Sequence, residues 1–314
     1  PIIKDRVVKT AAKLVMEPIF EANFLPCSYG SRPKREAPQA LREIQRVITF
    51  RGRHVVIDAD IKGFFDNIPH RKLMMLVKRR ISDPRLLKLI ERWLAAGVME
   101  DGNYIKSEGV GTPQGSSISS LLANIYLHAF DKMWAQSKLP GTLIRYCDDF
   151  VILLHPKTDS KWILEEIKKM LGRLELDLHP EKTRVNQAKH GFDFLGLHLR
   201  LCKVRKPKAK LSHSCRLWPS DQSIQRIKQR VKEVIGRRYG KTLEWMIEKL
   251  TPVLRGYNNY QSRSRAERKR LQQLNYFVRE RLRIFLKRKY SDETRGSRRV
   301  SGDTLTRLGL YRFA

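Results

Sequence analysis

The sequence predicts an α+β domain followed by a bundle of basic helices, and three observations support this. Over residues 1–200, helical and strand-like hydrophobic spacings alternate, as in folds that layer helices on a sheet. After residue 200, three amphipathic helical patterns follow one another, which is typical of a small bundle. The chain has 64 Lys and Arg against 32 Asp and Glu, a formal net charge of +32, so a polyanion is its expected partner.

The first hundred residues contain four helical patterns and one short strand. Helical spacing of apolar residues predicts helices over residues 5–20 and, after a basic turn-rich segment, 37–50. A β-branched run at Val55–Ile57 predicts a strand that ends in carboxylates. Two further helices are predicted over residues 73–81 and 84–98.

The second hundred residues predict a helix, a hairpin, a helix and a strand. Residues 121–134 place their apolar side chains on one stripe, which indicates an amphipathic helix. Two apolar runs, 142–146 and 150–154, flank Cys147-Asp148-Asp149, so a hairpin with acids at its tip is expected. A helix over residues 161–174 and a glycine-punctuated strand over residues 191–201 complete this half.

The C-terminal third carries most of the positive charge. A basic linker over residues 203–214 marks the expected boundary. Residues 201–314 hold 31 basic and 9 acidic residues, a net charge of +22, against +10 for residues 1–200. This part is therefore the expected electrostatic footprint for nucleic acid. Its three helices are predicted over residues 223–238, 242–260 and 270–290.

Cysteine usage and hydropathy argue against several other classes of protein. The four cysteines form no C-x-x-C pair and no Cys/His cluster at zinc spacing, so no structural zinc is expected and a reducing compartment is favoured. No apolar run approaches the roughly 18 residues of a membrane span. Nucleic acid is therefore a better partner for this charge than a membrane.

Three carboxylates stand where predicted strands end. Asp58 follows the first strand, and Asp148 and Asp149 lie between the two strands of the hairpin. Acids at the ends of apolar strands are costly unless they bind a cation. Two divalent ions about 3.5–4 Å apart, held by carboxylates, are the machinery of in-line nucleotidyl transfer, and Mg²⁺ suits ligands that are all oxygen.

Five motifs in a fixed order give this chain a family resemblance. The five motifs are VVIDADIKGFFDNIPH, GTPQGSSISSLLANIYLHAFD, IRYCDDFVILL, LHPEKTRV and GFDFLGLHLR. In that order they resemble the motifs of reverse transcriptases, with Tyr-Cys-Asp-Asp in place of the more usual Tyr-Ala-Asp-Asp. The spelling is closest to proteins encoded by group II introns, as are DRVVKTAAKLVMEPIFEANFLPCSYGSRP near the start and LRGYNNY near the end.

The resemblance implies an architecture. Residues 1–200 would form a right-hand polymerase palm with partial fingers, residues 201–290 a helical thumb or maturase X domain, and residues 291–314 a basic C-terminal tail. The family's upstream finger segments are expected in a separate or missing N-terminal segment. The tail has no clustered His and Cys, which implies a member that lacks the endonuclease. GSSISS departs from the commoner Gly-Gly-Pro-Leu-Ser-Pro spelling, so the detail of that loop is open.

The resemblance also implies roles for residues of the palm. Asp58, Asp148 and Asp149, with the backbone of Ala59, would bind two Mg²⁺ ions. Either Phe64 or Phe65 would exclude the 2′-hydroxyl of a ribonucleotide, with Phe65 favoured. The full set expected to contact the incoming dNTP is Ala59, Asp60, Ile61, Phe64, Phe65, Gln114 and Gly115.

Further roles follow for the loop after the palm hairpin and for the basic helices. Lys182 would approach the pyrophosphate as a general acid, and Phe194-Leu195-Gly196 would form the primer grip. Two basic surfaces are expected to bind RNA. They comprise Arg226, Lys228, Arg230 and Lys232 in one helix, and Arg263, Arg265, Arg268, Lys269 and Arg270 before and in another.

The function implied is an RNA-directed DNA polymerase that also binds its group II intron RNA and assists splicing and retrohoming. Its partners would be an RNA template, a DNA primer and dNTP. Two alternatives remain open: an RNA-binding splicing factor without polymerase activity, and a related reverse transcriptase of a defence or diversity-generating system. The expected location is the bacterial cytoplasm in association with the nucleoid, with an organelle as the alternative.

Overall fold

The computed structural model describes residues 3–100, 103–105, 109–112, 116–204, 212–261, 268–290 and 301–313. The chain divides into two compact units. The first comprises residues 1–190 with 203–214, and the second comprises residues 191–202 with 215–314.

The first unit packs helices against a four-stranded antiparallel sheet. Its helices are α1 Ile3–Glu21, α2 Ala37–Phe50, α3 His70–Lys78, α4 Pro84–Ala95, α5 Ser119–Ser137 and α6 Ser160–Arg173. Its strands are β1 Val55–Ala59, β2 Val98–Glu100, β3 Asn103–Ile105, β4 Thr142–Tyr146, β5 Asp149–Leu154 and β6 Arg184–Gln187. The large sheet has the strand order β4-β5-β1-β6, and β2 pairs with β3.

The core of this unit explains why its central elements are strongly apolar in sequence. Helix α5 buries residues around most of its circumference, including Tyr126, Phe130 and Trp134, so it lies inside the unit as a helix with apolar residues all round should. Strand β5 lies between β4 and β1 and is buried from Phe150 to Leu154, and Phe150, Ile152 and Leu154 belong to a core that α5 and α6 share. The end of this sheet positions the acids.

The second unit joins a small sheet to a helical bundle. Its elements are β7 Phe192–Phe194, β8 Leu197–Lys203, β9 His213–Pro219, α7 Asp221–Ile235, α8 Leu243–Gln261, α9 Arg268–Lys289 and α10 Gly302–Arg307. The strand order is β7-β8-β9. Each long helix contributes one apolar stripe to the core, for example Val231 from α7, Leu250 from α8 and Leu282 from α9, and the basic residues lie on the remaining faces.

Most predicted elements are confirmed, and three differ. Residues 191–201 are not one strand but a hairpin, because Leu195 and Gly196 adopt φ of 49° and 74° and reverse the chain. The predicted linker leads from β8 into β9, which the sequence did not predict. The described part of the predicted basic tail packs into the bundle, since Leu305 and Phe313 are buried in its core. The predicted division at residue 200 falls inside β8.

Candidate functional site

A tight hairpin presents the paired acids at one end of the first unit's sheet. Tyr146 pairs with Asp149 across β4 and β5, so the predicted hairpin is confirmed. Its turn is only two residues long, Cys147 and Asp148, because Asp149 already belongs to β5. Cys147 has φ of 57°, a left-handed conformation that hairpin turns of this length require. This conformation costs a non-glycine residue about 1 kcal/mol, so neighbouring groups must hold the turn.

The central strand brings a third acid to this turn. Strand β1 pairs with β5, and its last pair is Ala59 opposite Phe150. One residue further, the same antiparallel register places Asp60 across from Asp149. Asp60, Asp148 and Asp149 therefore all lie at the same end of the sheet.

Burial and then neighbouring negative charge raise the pKa values of Asp148 and Asp149. Burial raises the pKa of Asp149 to about 6, and the negative charges of Asp148 and Asp60 contribute to the same shift. Burial also raises the pKa of Asp148, and Asp60 again adds to the shift. Such a cluster is unfavourable as three free anions, and nearby positive charge relieves it.

Lys182 supplies positive charge next to this cluster. Its Nζ lies 2.6 Å from Oδ2 of Asp60, and the pKa of the Lys182 ammonium is raised, first by that hydrogen bond and then by the charge of Asp60. The loop before Lys182 is fixed to the end of β1, because the backbone N–H of His179 donates to the carbonyl of Asp60 at 2.8 Å. The predicted role of Lys182 as a general acid remains a prediction.

Asp58, the predicted metal ligand on this strand, lies further back in the sheet. Its direct neighbours are Val151 on β5 and Arg184 on β6. At about 3.4 Å per residue, Asp58 lies roughly 7 Å from Asp60 along the strand. The structure therefore brings Asp60, not Asp58, to the position across from Asp149. The sequence already contained a signal for Asp60. Residues two apart on a strand share a face, so Asp60 lies on the same face as Asp58 and nearer the end of the strand.

The remaining residues predicted to contact dNTP fall into different environments. Phe64 is 2% exposed and belongs to the core, whereas Phe65 is only partly buried and is thus the more accessible ring. Ile61 is also buried. Gln114 and Gly115 lie outside the described residues.

A buried network that the sequence did not reveal holds the turn. Arg145 is completely buried and donates two hydrogen bonds to the carboxylate of Asp131, at 2.8 and 2.5 Å. Its remaining guanidinium nitrogen donates to Asn124 Oδ1 at 3.2 Å and to the carbonyl of Cys147 at 2.8 Å. Asn124 in turn donates to the carbonyl of Gly30 at 2.9 Å. Helix α5 therefore fixes the backbone that carries Asp148.

Two protein families match the chain. The family described as reverse transcriptase (RNA-dependent DNA polymerase) covers residues 1–199, and the group II intron, maturase-specific domain covers residues 224–301. The chain belongs to the group II intron reverse transcriptases. The predicted resemblance is confirmed, and the α+β unit followed by a helical unit is the polymerase palm with a helical domain, as predicted.

Three relatives show how this intron reverse transcriptase compares with longer proteins. Protein YkfC of Escherichia coli (strain K12) is 34% identical over 236 residues, which cover 63% of this chain and 61% of YkfC. The group II intron-encoded protein LtrA of Lactococcus lactis subsp. cremoris is 31% identical over 264 residues, which cover 64% of this chain and 44% of LtrA. An uncharacterized 91 kDa protein in the cob intron of Schizosaccharomyces pombe is 27% identical over a region that covers 82% of this chain and 40% of that protein. This chain therefore spans about half the length of the relatives it matches.

Reverse transcriptases generally use divalent metal ions, and the acids of this reverse transcriptase suit them chemically. Asp60, Asp148 and Asp149 offer only oxygen donors, which Mg²⁺ prefers. Burial and mutual repulsion raise the pKa values of Asp148 and Asp149, and a cation would relieve both effects. Within the described residues, no three acidic, His or Cys side chains stand close enough together to hold an ion. Asp60 is paired with Lys182 instead.

The basic surfaces predicted to bind RNA are only partly described in this reverse transcriptase. On α7, Arg226, Arg230 and Lys232 are exposed, and Lys228 lies over the ring of Phe277 at 5.5 Å. In the second cluster, Arg270 pairs with Asp221 at 2.7 Å. Arg263 and Arg265, with the side chains of Arg268 and Lys269, lie outside the described residues. Among the described helices, none combines the length and apolar character that a bilayer crossing requires.

Proposed function

We propose that this chain is the RNA-directed DNA polymerase domain of a group II intron protein, which copies RNA into DNA and binds intron RNA to assist splicing and retrohoming. The observation that carries the proposal is the sheet register that brings Asp60 across from Asp149 and beside Asp148. Three acids at the same end of one sheet supply the kind of oxygen donors that nucleotidyl transfer uses, and a cation would have to draw Asp60 away from Lys182 to join them.

Asp60, Asp148 and Asp149 would hold two Mg²⁺ ions, with Asp60 taking the role predicted for Asp58. Bound there, the ions supply Lewis acidity that activates the primer 3′-hydroxyl and stabilises the leaving pyrophosphate. The protein's contribution is placement, because the Arg145 network holds the turn that carries Asp148. Lys182 balances the acidic cluster and keeps an ammonium proton donor beside it.

Phe65 would select the sugar of the incoming nucleotide. Its partly buried ring is accessible to substrate, whereas Phe64 packs in the core. The backbone of Phe65 is also fixed, since its carbonyl accepts a hydrogen bond from the N–H of Thr112 at 2.7 Å. A ring held rigidly at this position would reject a 2′-hydroxyl by steric clash.

The test compares three single substitutions in the same assay. Asp60→Asn and Asp148→Asn should each lower primer extension by several orders of magnitude while leaving RNA affinity nearly intact, because the amide cannot supply the same charge to a cation. Asp58→Asn is the matched control and should stay within about tenfold of wild type. Extension by Asp60→Asn within that range, with a large decrease in Asp58→Asn, would return the metal role to Asp58.

The same variants separate the two halves of the proposal. Asp148→Asn should still assist splicing of intron RNA, because the acids are not needed to bind RNA through basic helices. If wild type, assayed together with the upstream finger segment, binds intron RNA but extends no primer under any divalent cation, the chain is a splicing factor and the polymerase proposal is wrong.

A further inference from the structure

The turn between β7 and β8 is strained and held from outside the strands. Leu195 and Gly196 have φ of 49° and 74°. Glycine adopts this conformation freely, but in a leucine the Cβ atom crowds the following carbonyl oxygen. Such a residue persists only where surrounding groups determine its conformation. This turn is the segment predicted to grip the primer.

Two groups of the helical bundle hold this turn. The backbone N–H of Ser220 donates to the carbonyl of Gly196 at 3.1 Å, and the hydroxyl of Tyr260 donates to the carbonyl of Leu195 at 2.8 Å. Ser220 is the N-cap of α7, and Tyr260 lies in the last turn of α8. Consecutive carbonyls of the turn are therefore fixed by two different helices.

The position of Tyr260 makes this contact separable from folding. The side chain of Tyr260 is 40% exposed, so its hydroxyl contributes little to the core. One helical turn earlier, the hydroxyl of Tyr257 accepts a hydrogen bond from Ser223 Oγ at 3.4 Å. Both tyrosines belong to the LRGYNNY segment, and the structure gives the two hydroxyls different partners.

We propose that Tyr260 is a positioning residue that couples helix α8 to the primer grip at residues 194–196. The inference rests on the proposed polymerase function. The hydroxyl fixes the strained carbonyl of Leu195, so the turn is held in one conformation when the primer end binds. Without the hydroxyl the turn samples other conformations, and fewer encounters place the primer terminus correctly.

The experiment compares Tyr260→Phe with Tyr257→Phe and wild type in single-turnover primer extension at saturating dNTP, normalised to active sites by burst amplitude. Removal of one hydrogen bond corresponds to roughly a threefold to tenfold effect. We expect Tyr260→Phe to lower the rate per active site by that factor, with the primer–template Kd and the melting temperature unchanged. Tyr257→Phe should stay within about twofold of wild type. A purely structural defect would lower the burst amplitude and not the rate.

Hydrogen exchange measures this hydrogen bond without relying on activity. Amides of residues 194–198 should exchange faster in Tyr260→Phe than in wild type, and Tyr257→Phe should leave them unchanged. If wild type extends primers and Tyr260→Phe extends them at the same rate, this inference is wrong but the proposed function stands. The same holds if Tyr260→Phe and Tyr257→Phe lower the extension rate equally. A wild-type protein that extends no primer even when the upstream finger segment is supplied overturns the proposed function and this inference with it.

Discussion

The first compact unit of this reverse transcriptase contains a fully buried ion pair, whereas no ion pair described in the second is fully buried. In the first, Arg145 and Asp131 form an ion pair with both side chains 0% exposed, and the pair orients a turn. In the second, ion pairs such as Arg230–Glu233 and Arg283–Glu280 link residues three apart along a helix. Pairs on a helix surface contribute little to stability, whereas a buried pair that loses one partner leaves a very costly charge.

This contrast separates a unit that depends on geometry from one that depends on total charge. The acids at the end of the sheet must be held in fixed positions, and burial of Arg145 provides that precision. The exposed cations of α7, if they bind RNA as proposed, would each bind a phosphate without a unique arrangement. Substitutions in the Arg145 network should therefore act singly and strongly, and substitutions of the α7 cations should act weakly and add up.

The largest expected effect is on Arg145. Arg145→Met should lower the free energy of unfolding by about 3–5 kcal/mol, because it leaves Asp131 charged and buried without its partner. Urea denaturation measures this change. The double variant Arg145→Met with Asp131→Leu should recover most of the stability, but not primer extension, because the carbonyl of Cys147 still lacks its donor. Full recovery of both would mean that the network only stabilises the fold.

A smaller effect, confined to substrate choice, is expected at Phe65. Phe65→Ala should raise incorporation of rNTP relative to dNTP by roughly tenfold or more, because the steric clash with the 2′-hydroxyl is removed. Competitive incorporation measures the ratio. The neighbouring Phe64→Ala should instead destabilise the core by about 3–5 kcal/mol and keep the wild-type ratio. If the two variants exchange these outcomes, Phe64 is the sugar-selecting ring.

The basic surfaces should respond gradually. Replacing Arg226, Arg230 and Lys232 by Gln should weaken intron RNA binding, and the slope of log affinity against log salt should fall by about 0.7–0.9 for each phosphate left unneutralised. Replacing the five basic residues of the second cluster, within residues 263–270, by Ala should likewise weaken intron RNA binding and lower the salt slope. Primer extension on a generic template should change much less. Lys168→Gln with Lys169→Gln, at exposed positions of α6, is the control. Equal decreases in both assays would mean that these cations serve the polymerase duplex.

The smallest expected effect is a pH dependence at His128 on α5. Burial lowers the pKa of His128 to about 4 from its ordinary value of 6.5. The negative charge of Asp131 raises this pKa, but by less than burial lowers it. Neither ring nitrogen has a hydrogen-bond partner among the described residues. Between pH 4 and pH 6.5, His128 therefore binds a proton more readily in the unfolded chain than in the folded one. The free energy of unfolding should accordingly decrease as pH falls from about 6.5 to about 4.

His128→Leu should remove that pH dependence. After allowance for solvent screening of a half-buried group, the gain at pH 5 relative to wild type should be on the order of 1 kcal/mol, or a few degrees in Tm. At pH 7.5 the difference between the two proteins should shrink. His155→Leu, at an exposed position, provides the control, and a pH-independent difference for His128→Leu would contradict the assignment.

Local sequence patterns were sufficient to predict the elements whose signal is local. The apolar residues of α5, the two runs around Cys147-Asp148 and the stripes of α7 to α9 each repeat with the period of their own structure, so their existence and order are confirmed. The family could also be predicted from sequence, because its motifs are short and ordered. The proposed roles of Lys182, of Gln114 and of the basic clusters stay predictions.

Features that join residues far apart in the chain depended on tertiary structure. Strand register, which pairs Ala59 with Phe150, places Asp60 and not Asp58 across from Asp149, and no local pattern contains it. Arg145, Asp131 and Asn124 meet only when α5 packs on the sheet, so each resembled an ordinary polar residue in sequence. The hydroxyl of Tyr260 reaches Leu195 across 65 residues. Periodicity records which face of an element is buried, but packing decides which element lies against that face.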